Sequence, residues 1–314
     1  MDLKFHNFLV TTPLDKIHID FNEQSLWVLN VALALVMFGI ALDISIDDFR
    51  RLARNPKALF VGVLSQFILL PAVTFVLVLL VEPLPSIALG MFMVAACPGG
   101  NISNFITHLA RGNTALSVSL TAVATLLAVV MTPLNLQLWG ALYGPTASIL
   151  KDVAIDPSAM IKLVALLLGL PLILGMWINH IRPKFAFKIA KVLKVLSLVF
   201  FVTLIFIALY DNRDIFMEYV LYVFWIVVMH NLLAFATGYS VAKFLGLSQM
   251  DKRTIGIETG IQNSGLGLLL IFTFFDGMGG MALLAAFWGI WHLISGLAIA
   301  TFWGYFPIDK EELV

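Results

Sequence analysis

The chain has 314 residues, of which 61% are hydrophobic and 12% are charged, and its mean hydropathy is +0.98. A soluble domain averages about 45–50% apolar and about 25% charged residues, so this composition excludes a cytosolic globular enzyme and a disordered protein. Lys+Arg and Asp+Glu number 19 each, so the chain lacks the basic field of a nucleic-acid binder. The single cysteine excludes a disulfide framework and a Cys-rich metal site.

Nine apolar segments follow one another along the chain, and a helix that crosses a bilayer needs about 20 such residues. They run over about 25–43, 58–81, 86–110, 114–139, 158–180, 192–210, 218–244, 254–275 and 281–305. Short connections rich in turn residues separate them. The sequence therefore predicts an all-α polytopic membrane protein with nine transmembrane helices. One transmembrane domain covers 25–305, between an N-terminal segment at 1–24 and a tail at 306–314.

The distribution of basic residues predicts the orientation. If the N-terminus lies outside, 14 of the 19 lysines and arginines fall on the inner side. They include the basic run from Arg182 to Lys194, which we interpret as an inside loop. The positive-inside rule then predicts a multi-pass cell-membrane protein with an extracytoplasmic segment 1–24 and a cytoplasmic C-terminal tail.

Two of the nine segments are interrupted by residues that disfavour a helix. Pro98-Gly99-Gly100 interrupts the third segment, and a polar stretch at 258–265 interrupts the eighth. When segments one to four are laid over segments six to nine, the two interrupted segments correspond and run in opposite directions. Paired interrupted segments in inverted halves indicate the binding site of a secondary transporter.

Glu258 is the strongest candidate for chemistry within the spans, and Gln262 follows it one helical turn later. A carboxylate at membrane depth costs about 2.5 kcal/mol or more unless it is paired or hydrated. No lysine or arginine of any span lies at a similar depth, which favours a bound cation or a proton site. The alternative is a protonated carboxylic acid that is hydrogen-bonded to a neighbouring helix.

The first interruption predicts a second polar centre. Pro98 and the two glycines free main-chain groups in mid-span, which is tolerated only where protein or a water-filled cavity satisfies them. The next half-helix begins with Asn101, Ser103 and Asn104. Its N–H groups suit an anion, and its side-chain oxygens suit a hard cation such as Na⁺. The alternative is a simple kink at a packing interface.

Three further polar residues are weaker candidates. Ser117 and Thr121 lie four residues apart, so both oxygens share one helix face, and Gln66 lies within the second apolar segment. A Ser or Thr in a membrane helix more often bonds its own backbone carbonyl.

These motifs resemble those of the bile acid:sodium symporter family. The first resemblance is CPGGNISN at 97–104, which is similar to the family's glycine-rich break, and the second is ETGIQNSG at 258–265, which is similar to its second crossover motif. Arg111-Gly112-Asn113, Leu116-Ser117 and Trp291-His292 also match. The similarity extends from about residue 25 to about residue 305.

The resemblance implies a panel domain of spans one, five and six and a core domain of spans two to four and seven to nine. Two broken helices would cross near the midplane, with two Na⁺ sites behind them. The first site would use Ser103, Asn104, Ser117, Thr121 and Glu258. The second would use Gln66, Glu258 and Gln262, with main-chain carbonyls of Thr259 and Ile261. The substrate would face Asn101, Ile102 and Asn263, with His292 lining the cavity.

The implied function is a sodium-coupled secondary active symporter, not an enzyme, that moves two Na⁺ per substrate by alternating access. It would import a small organic anion, such as a bile acid, pantoate or a 2-oxo acid, across the lipid bilayer. The alternative is a proton-coupled organic anion transporter or exporter on the same fold, with Glu258 as the proton carrier. An intramembrane enzyme would need a nucleophile–base pair or a metal cluster at depth, and the Ser and His spacings show neither.

Overall fold

The computed structural model describes residues 13–16, 23–45, 56–100, 102–153, 156–211 and 213–306, and these ranges are nearly all helical. After a 3₁₀ turn at Pro13–Lys16, we number the helices α1 to α12. They are α1 Glu23–Ala41, α2 Pro56–Val81, α3 Pro85–Ala96, α4 Ile102–Leu109, α5 Thr114–Leu142, α6 Gly144–Val153, α7 Pro157–Ile181, α8 Pro183–Asp211, α9 Arg213–Phe244, α10 Gln249–Gly260, α11 Ser264–Phe274 and α12 Gly279–Tyr305. The all-α prediction is confirmed.

Five of these helices are long and apolar enough to cross a membrane, namely α2, α5, α7, α9 and α12. Shorter apolar helices lie at Asn30–Ala41, within α1, and at α3 and α11. Large apolar side chains cover the outer surface, where Leu80 is 78% exposed and Leu221 is 72% exposed. Such a surface is stable in lipid and not in water, so the chain is a polytopic membrane protein.

All of the basic run except Arg182, which separates α7 from α8, is helical, and this corrects the interpretation of the run as a loop. Helix α8 begins at Pro183, nine residues before the predicted start of the sixth apolar segment. Lys184 and Lys188 are exposed, whereas Ala186 and Ala190 are buried. The helix therefore has one charged face and one packed face over 183–194, and its charges lower the hydropathy so that the sequence predicts a loop there.

Helices α1, α7 and α8 pack on one another through small residues. A Cβ at Gly39 in α1 would lie 2.8 Å from the Cβ of Leu193 in α8, and one at Gly175 in α7 would overlap Ala41. Small residues let helix backbones approach closely in a membrane. Asn179 of α7 also donates a hydrogen bond to the carbonyl of Ile44, at 2.9 Å.

The 3₁₀ turn at Pro13–Lys16 packs against the start of α3. Leu14 is fully buried, and the Oδ1 atom of Asp15 accepts a hydrogen bond from the N–H of Ser86, at 2.9 Å. A carboxylate at a helix N-terminus satisfies a main-chain donor and suits the helix dipole. Part of the predicted N-terminal segment is therefore packed onto the helical domain.

The two interrupted segments meet at their breaks. Their main chains pair as an antiparallel bridge between Gly99 and Gln262. The hydrogen bonds run from the Gly100 N–H to the Ile261 carbonyl, at 2.7 Å, and from the Asn263 N–H to the Pro98 carbonyl, at 2.9 Å. Hydrocarbon offers no such partners, so each break satisfies main-chain groups of the other.

The second break contains fewer residues than the predicted interruption at 258–265. Helix α10 continues to Gly260, and α11 begins at Ser264, so three residues separate them. The Oδ1 atom of Asn263 accepts a hydrogen bond from the Leu266 N–H, at 3.0 Å, and this N-cap starts α11 early. Glu258 consequently lies in the last turn of a helix and not in an open loop.

Arg253, in the first half of α10, hydrogen-bonds the C-terminal ends of two other helices. Its guanidinium donates to the carbonyls of Ala110, after α4, and Phe306, after α12, both at 2.9 Å. We expect Arg253→Leu to lower the free energy of unfolding by about 2 kcal/mol or more, because both carbonyls lose a charged donor. Thermal unfolding of the purified protein measures this loss. Lys252→Leu, at the neighbouring half-buried position, is the control, and equal melting of the two variants would contradict the assignment.

Candidate functional site

The carboxylate of Glu258 lies at the centre of a buried set of hydroxyl groups. The residue is 1% exposed, and its partners come from two other helices. Ser103 of α4 donates to Oε1 at 2.5 Å, Ser117 of α5 donates to the same oxygen, and Thr121 of α5 lies 3.2 Å from Oε1 and 3.0 Å from Oε2. Within the described residues, its side-chain hydrogen bonds all come from these neutral groups.

Asn104 joins the same cluster. Its Oδ1 atom lies 2.8 Å from the Ser117 hydroxyl and 3.3 Å from the Thr121 hydroxyl, so it competes with the Glu258 carboxylate for the single proton of each. The structure thus brings together the five side chains predicted for a first ion site. Ser119 bonds a main-chain carbonyl of its own helix, whereas Ser117 and Thr121 face Glu258. A set of oxygens of this kind suits a hard cation.

Gln66 approaches Gly99 as the Glu258 carboxylate does, and it is fully buried. A Cβ at Gly99 would lie 2.9 Å from Glu258 Oε2 and 3.2 Å from Gln66 Nε2, so both side chains approach the same glycine. Neither polar atom of the Gln66 amide has a hydrogen-bond partner among the described residues. Buried polar groups are nearly always satisfied, so this amide is suited to hold a ligand.

Gln262 contributes a second unpartnered oxygen at the break. Its Nε2 donates to the Thr259 carbonyl at 2.8 Å, and within the described chain its Oε1 accepts no hydrogen bond. The Thr259 and Ile261 carbonyls each accept one hydrogen bond, from Gln262 and from Gly100. A carbonyl has two lone pairs, so each retains one for a cation. Their role as ligands stays a prediction.

The residues predicted to face the substrate lie at the half-helix N-termini and on α12, apart from Asn101, which lies outside the described residues. Ile102 begins α4 and Asn263 caps α11, so both lie at half-helix N-termini, where main-chain N–H groups favour an anion. His292 is buried on α12, and its Nδ1 atom has no partner in the described ranges. Contact of these residues with a substrate stays a prediction.

Other polar residues near the breaks were not predicted. Ser65 of α2 hydrogen-bonds Thr259 at 2.8 Å. Asn231 of α9 donates to the Gly260 carbonyl at 2.8 Å and accepts from Ser295 of α12 at 2.6 Å. These contacts hold the last turn of α10, which carries Glu258. The signal that could have found Asn231 is an amide in the middle of an apolar span, as for Gln66.

The described residues contain no group of three or more His, Cys, Asp and Glu side chains that could hold a metal ion. The polar groups around Glu258 are instead hydroxyls and amides, which are weak ligands for transition metals. Oxygen ligands of this kind suit a hard cation better than a transition metal.

Comparisons with known proteins agree with this chemistry. The model of the Sodium Bile acid symporter family matches residues 30–219. An uncharacterized sodium-dependent transporter, YocS of Bacillus subtilis, is 33% identical over 275 residues, which cover 88% of this chain and 82% of the relative.

Plant and animal proteins are also similar. The probable sodium/metabolite cotransporter BASS1, chloroplastic, of Arabidopsis thaliana is 31% identical over 87% of this chain and 66% of its own length. The ileal sodium/bile acid cotransporter of Homo sapiens is 30% identical over 76% of this chain and 67% of its own length. The chain spans about two thirds of the length of these two relatives, and both are named as cotransporters, not enzymes.

Proposed function

Because the chain belongs to the sodium bile acid symporter family, we propose that it imports a small organic anion together with two Na⁺ ions. The observation that carries the proposal is the buried carboxylate of Glu258, which contacts three hydroxyls and approaches Gly99 together with the Gln66 amide. One Na⁺ would bind among Ser103, Asn104, Ser117, Thr121 and Glu258. The other would bind among Gln66, Gln262, Glu258 and the carbonyls of Thr259 and Ile261.

Charge supports an anionic substrate. Two Na⁺ ions and one buried carboxylate leave a net positive centre beside the half-helix N-termini of α4 and α11, where an anion is stabilised. A carboxylate or sulfate group fits this charge. Bile acids, pantoate and 2-oxo acids all carry one, and relatives are named for bile acids and for metabolites.

The driving force suffices for accumulation. A tenfold Na⁺ gradient supplies about 1.4 kcal/mol per ion. Two Na⁺ with one monoanion move one net charge, which adds about 2.3 kcal/mol at a membrane potential of about 100 mV. The sum of about 5 kcal/mol supports a substrate gradient of roughly several thousandfold.

We further propose nine spans, with the N-terminus outside and the C-terminus cytoplasmic. Helices α1, α7 and α8 would form a panel, and α2–α5 with α9–α12 would form the core. Alternating access would move one group against the other. The support for this division is that α1, α7 and α8 pack together through small residues, while the two breaks bond each other.

Replacement of Na⁺ by choline at fixed pH tests the coupling ion. We expect NaCl to raise the melting temperature of the purified protein over choline chloride at equal ionic strength, because a ligand that binds the native state stabilises it by about 2.7 kcal/mol at 100 times its Kd. A melting temperature that responds to pH and not to Na⁺ would favour the proton-coupled alternative.

The same assay identifies the substrate class. We expect taurocholate, pantoate or pyruvate to raise the melting temperature further in NaCl and to have little effect in choline, since coupling requires that one ligand change the affinity for the other. Uptake of the stabilising anion into proteoliposomes with an inward Na⁺ gradient then measures transport. Equal stabilisation by the anion in both salts would contradict symport.

A further inference from the structure

A π-turn at Ser65–Leu69 interrupts the α-helical path of α2 next to the proposed second Na⁺ site. The N–H of Leu70 bonds the carbonyl of Ser65, five residues earlier. Ser65, Gln66 and Phe67 are all fully buried, although successive residues of an α-helix point about 100° apart. The wider turn lets Ser65 bond Thr259 while Gln66 faces Gly99.

Pro71 and Asn135 together determine how the Phe67 carbonyl of this turn is bonded. Pro71 has no N–H to donate to the Phe67 carbonyl one α-helical turn earlier. The Nδ2 atom of Asn135 on α5 donates to that carbonyl instead, at 3.0 Å. A side chain of another helix thus supplies the donor that the proline removes.

The amide of Asn135 is itself held in one orientation. Its Nδ2 atom also donates to the Met131 carbonyl at 3.0 Å, and its Oδ1 atom accepts from Trp139 Nε1 at 3.0 Å. A flipped amide would place its oxygen against two carbonyls. The buried network therefore joins α5, which carries Ser117 and Thr121, to the turn that carries Gln66.

We propose that Asn135 is a positioning residue for Na⁺ binding, because its hydrogen bond to the Phe67 carbonyl holds the π-turn that directs Gln66 to the break. Asn135 acts through the main chain of α2. This inference rests on the proposed function, since Gln66 is assigned to the second Na⁺ site. Loss of a partner that bonds a metal ligand directly typically weakens metal binding by about 10–100-fold, so a residue that acts through the main chain is expected at the lower end of this range.

The test uses the full-length protein and Na⁺ titrations followed by thermal unfolding. We expect Asn135→Leu to raise the half-saturating Na⁺ concentration by about tenfold. Asn179→Leu is the matched control, because Asn179 also donates from a helix to a carbonyl on a neighbouring element, away from the breaks. It should lower the melting temperature without changing the Na⁺ titration. An unchanged titration for Asn135→Leu would overturn the proposal.

A double variant separates positioning from simple stabilisation. Pro71→Ala with Asn135→Leu restores an N–H that can bond the Phe67 carbonyl in an ordinary α-helical turn. We expect its melting temperature in choline to recover while the half-saturating Na⁺ concentration stays raised. Recovery of both would overturn the proposal, since Asn135 would then serve only to satisfy a carbonyl.

Hydrogen exchange in choline provides a readout that does not depend on Na⁺. Peptides that cover 65–70 should exchange faster in Asn135→Leu than in the wild type, and Asn179→Leu should leave them unchanged. Equal exchange in all three proteins would overturn the positioning role. A wild-type protein that shows no Na⁺ response would instead contradict the proposed function, with the exchange result still deciding the role of Asn135.

Discussion

Glu258→Gln should abolish the stabilisation of the protein by Na⁺ while leaving it folded. The amide keeps an acceptor for Ser103, Ser117 and Thr121, but it removes the negative charge that both proposed ions share. Loss of one partner of a buried ion pair costs about 3 kcal/mol or more, which corresponds to an affinity loss of about 100-fold. Na⁺ titrations of the melting temperature measure this loss, and Na⁺-driven uptake should disappear with it.

A second prediction for Glu258→Gln concerns its melting temperature in the absence of Na⁺. A buried, uncompensated carboxylate destabilises the native state, so Glu258→Gln should melt at an equal or higher temperature than the wild type in choline chloride. Glu82→Gln is the matched control, because Glu82 is exposed at the end of α2 and should change neither measurement. A normal Na⁺ response in Glu258→Gln would refute the assignment of both ion sites.

Gly99→Ala should disrupt both the pairing of the breaks and Na⁺ binding. The new methyl group would lie 2.9 Å from Glu258 Oε2, 3.2 Å from Gln66 Nε2 and 3.3 Å from the Glu258 carbonyl, so at least one of these groups must move. Overpacking of this kind typically costs about 1–3 kcal/mol. We expect a lower melting temperature in choline together with a weakened Na⁺ response, both measured by the thermal titration.

Gly144→Ala is the control for this substitution. No atom lies within 4 Å of a Cβ at Gly144, which begins α6, so the added methyl group meets open space. Its melting temperature and Na⁺ titration should match those of the wild type. If Gly99→Ala retained a wild-type Na⁺ titration, the close approach of Glu258 and Gln66 to this glycine would have no part in ion binding.

The sequence alone identifies residues that are energetically unfavourable in a membrane helix. Glu258 is identified because a carboxylate in an apolar span needs a partner, and Pro98 because proline and glycine end a helix. Ser117 and Thr121 share a face through their spacing alone. The family resemblance then predicts which of these side chains meet, and the structure brings the five of the first site together.

Other features depend on contacts between segments far apart in the chain. The bridge between Gly99 and Gln262 has no local pattern, because each break alone shows only a loss of helix. The π-turn of α2 is hidden in a continuous apolar segment, where a shift of one residue changes no apolar pattern. The role of Asn135 emerges only when α5 is packed beside the carbonyl that Pro71 leaves without a donor.

The main-chain pairing of the two breaks restricts which parts of the protein can slide during a transport cycle. Separation of Gly100 from Ile261, or of Asn263 from Pro98, would leave donors and acceptors unsatisfied in a medium that cannot replace them. In the proposed transport cycle, the two breaks would therefore stay bonded to each other while the substrate and the ions move with them. Opening to either side of the membrane would then come from displacement of the proposed panel, α1, α7 and α8, relative to the helices that carry the breaks.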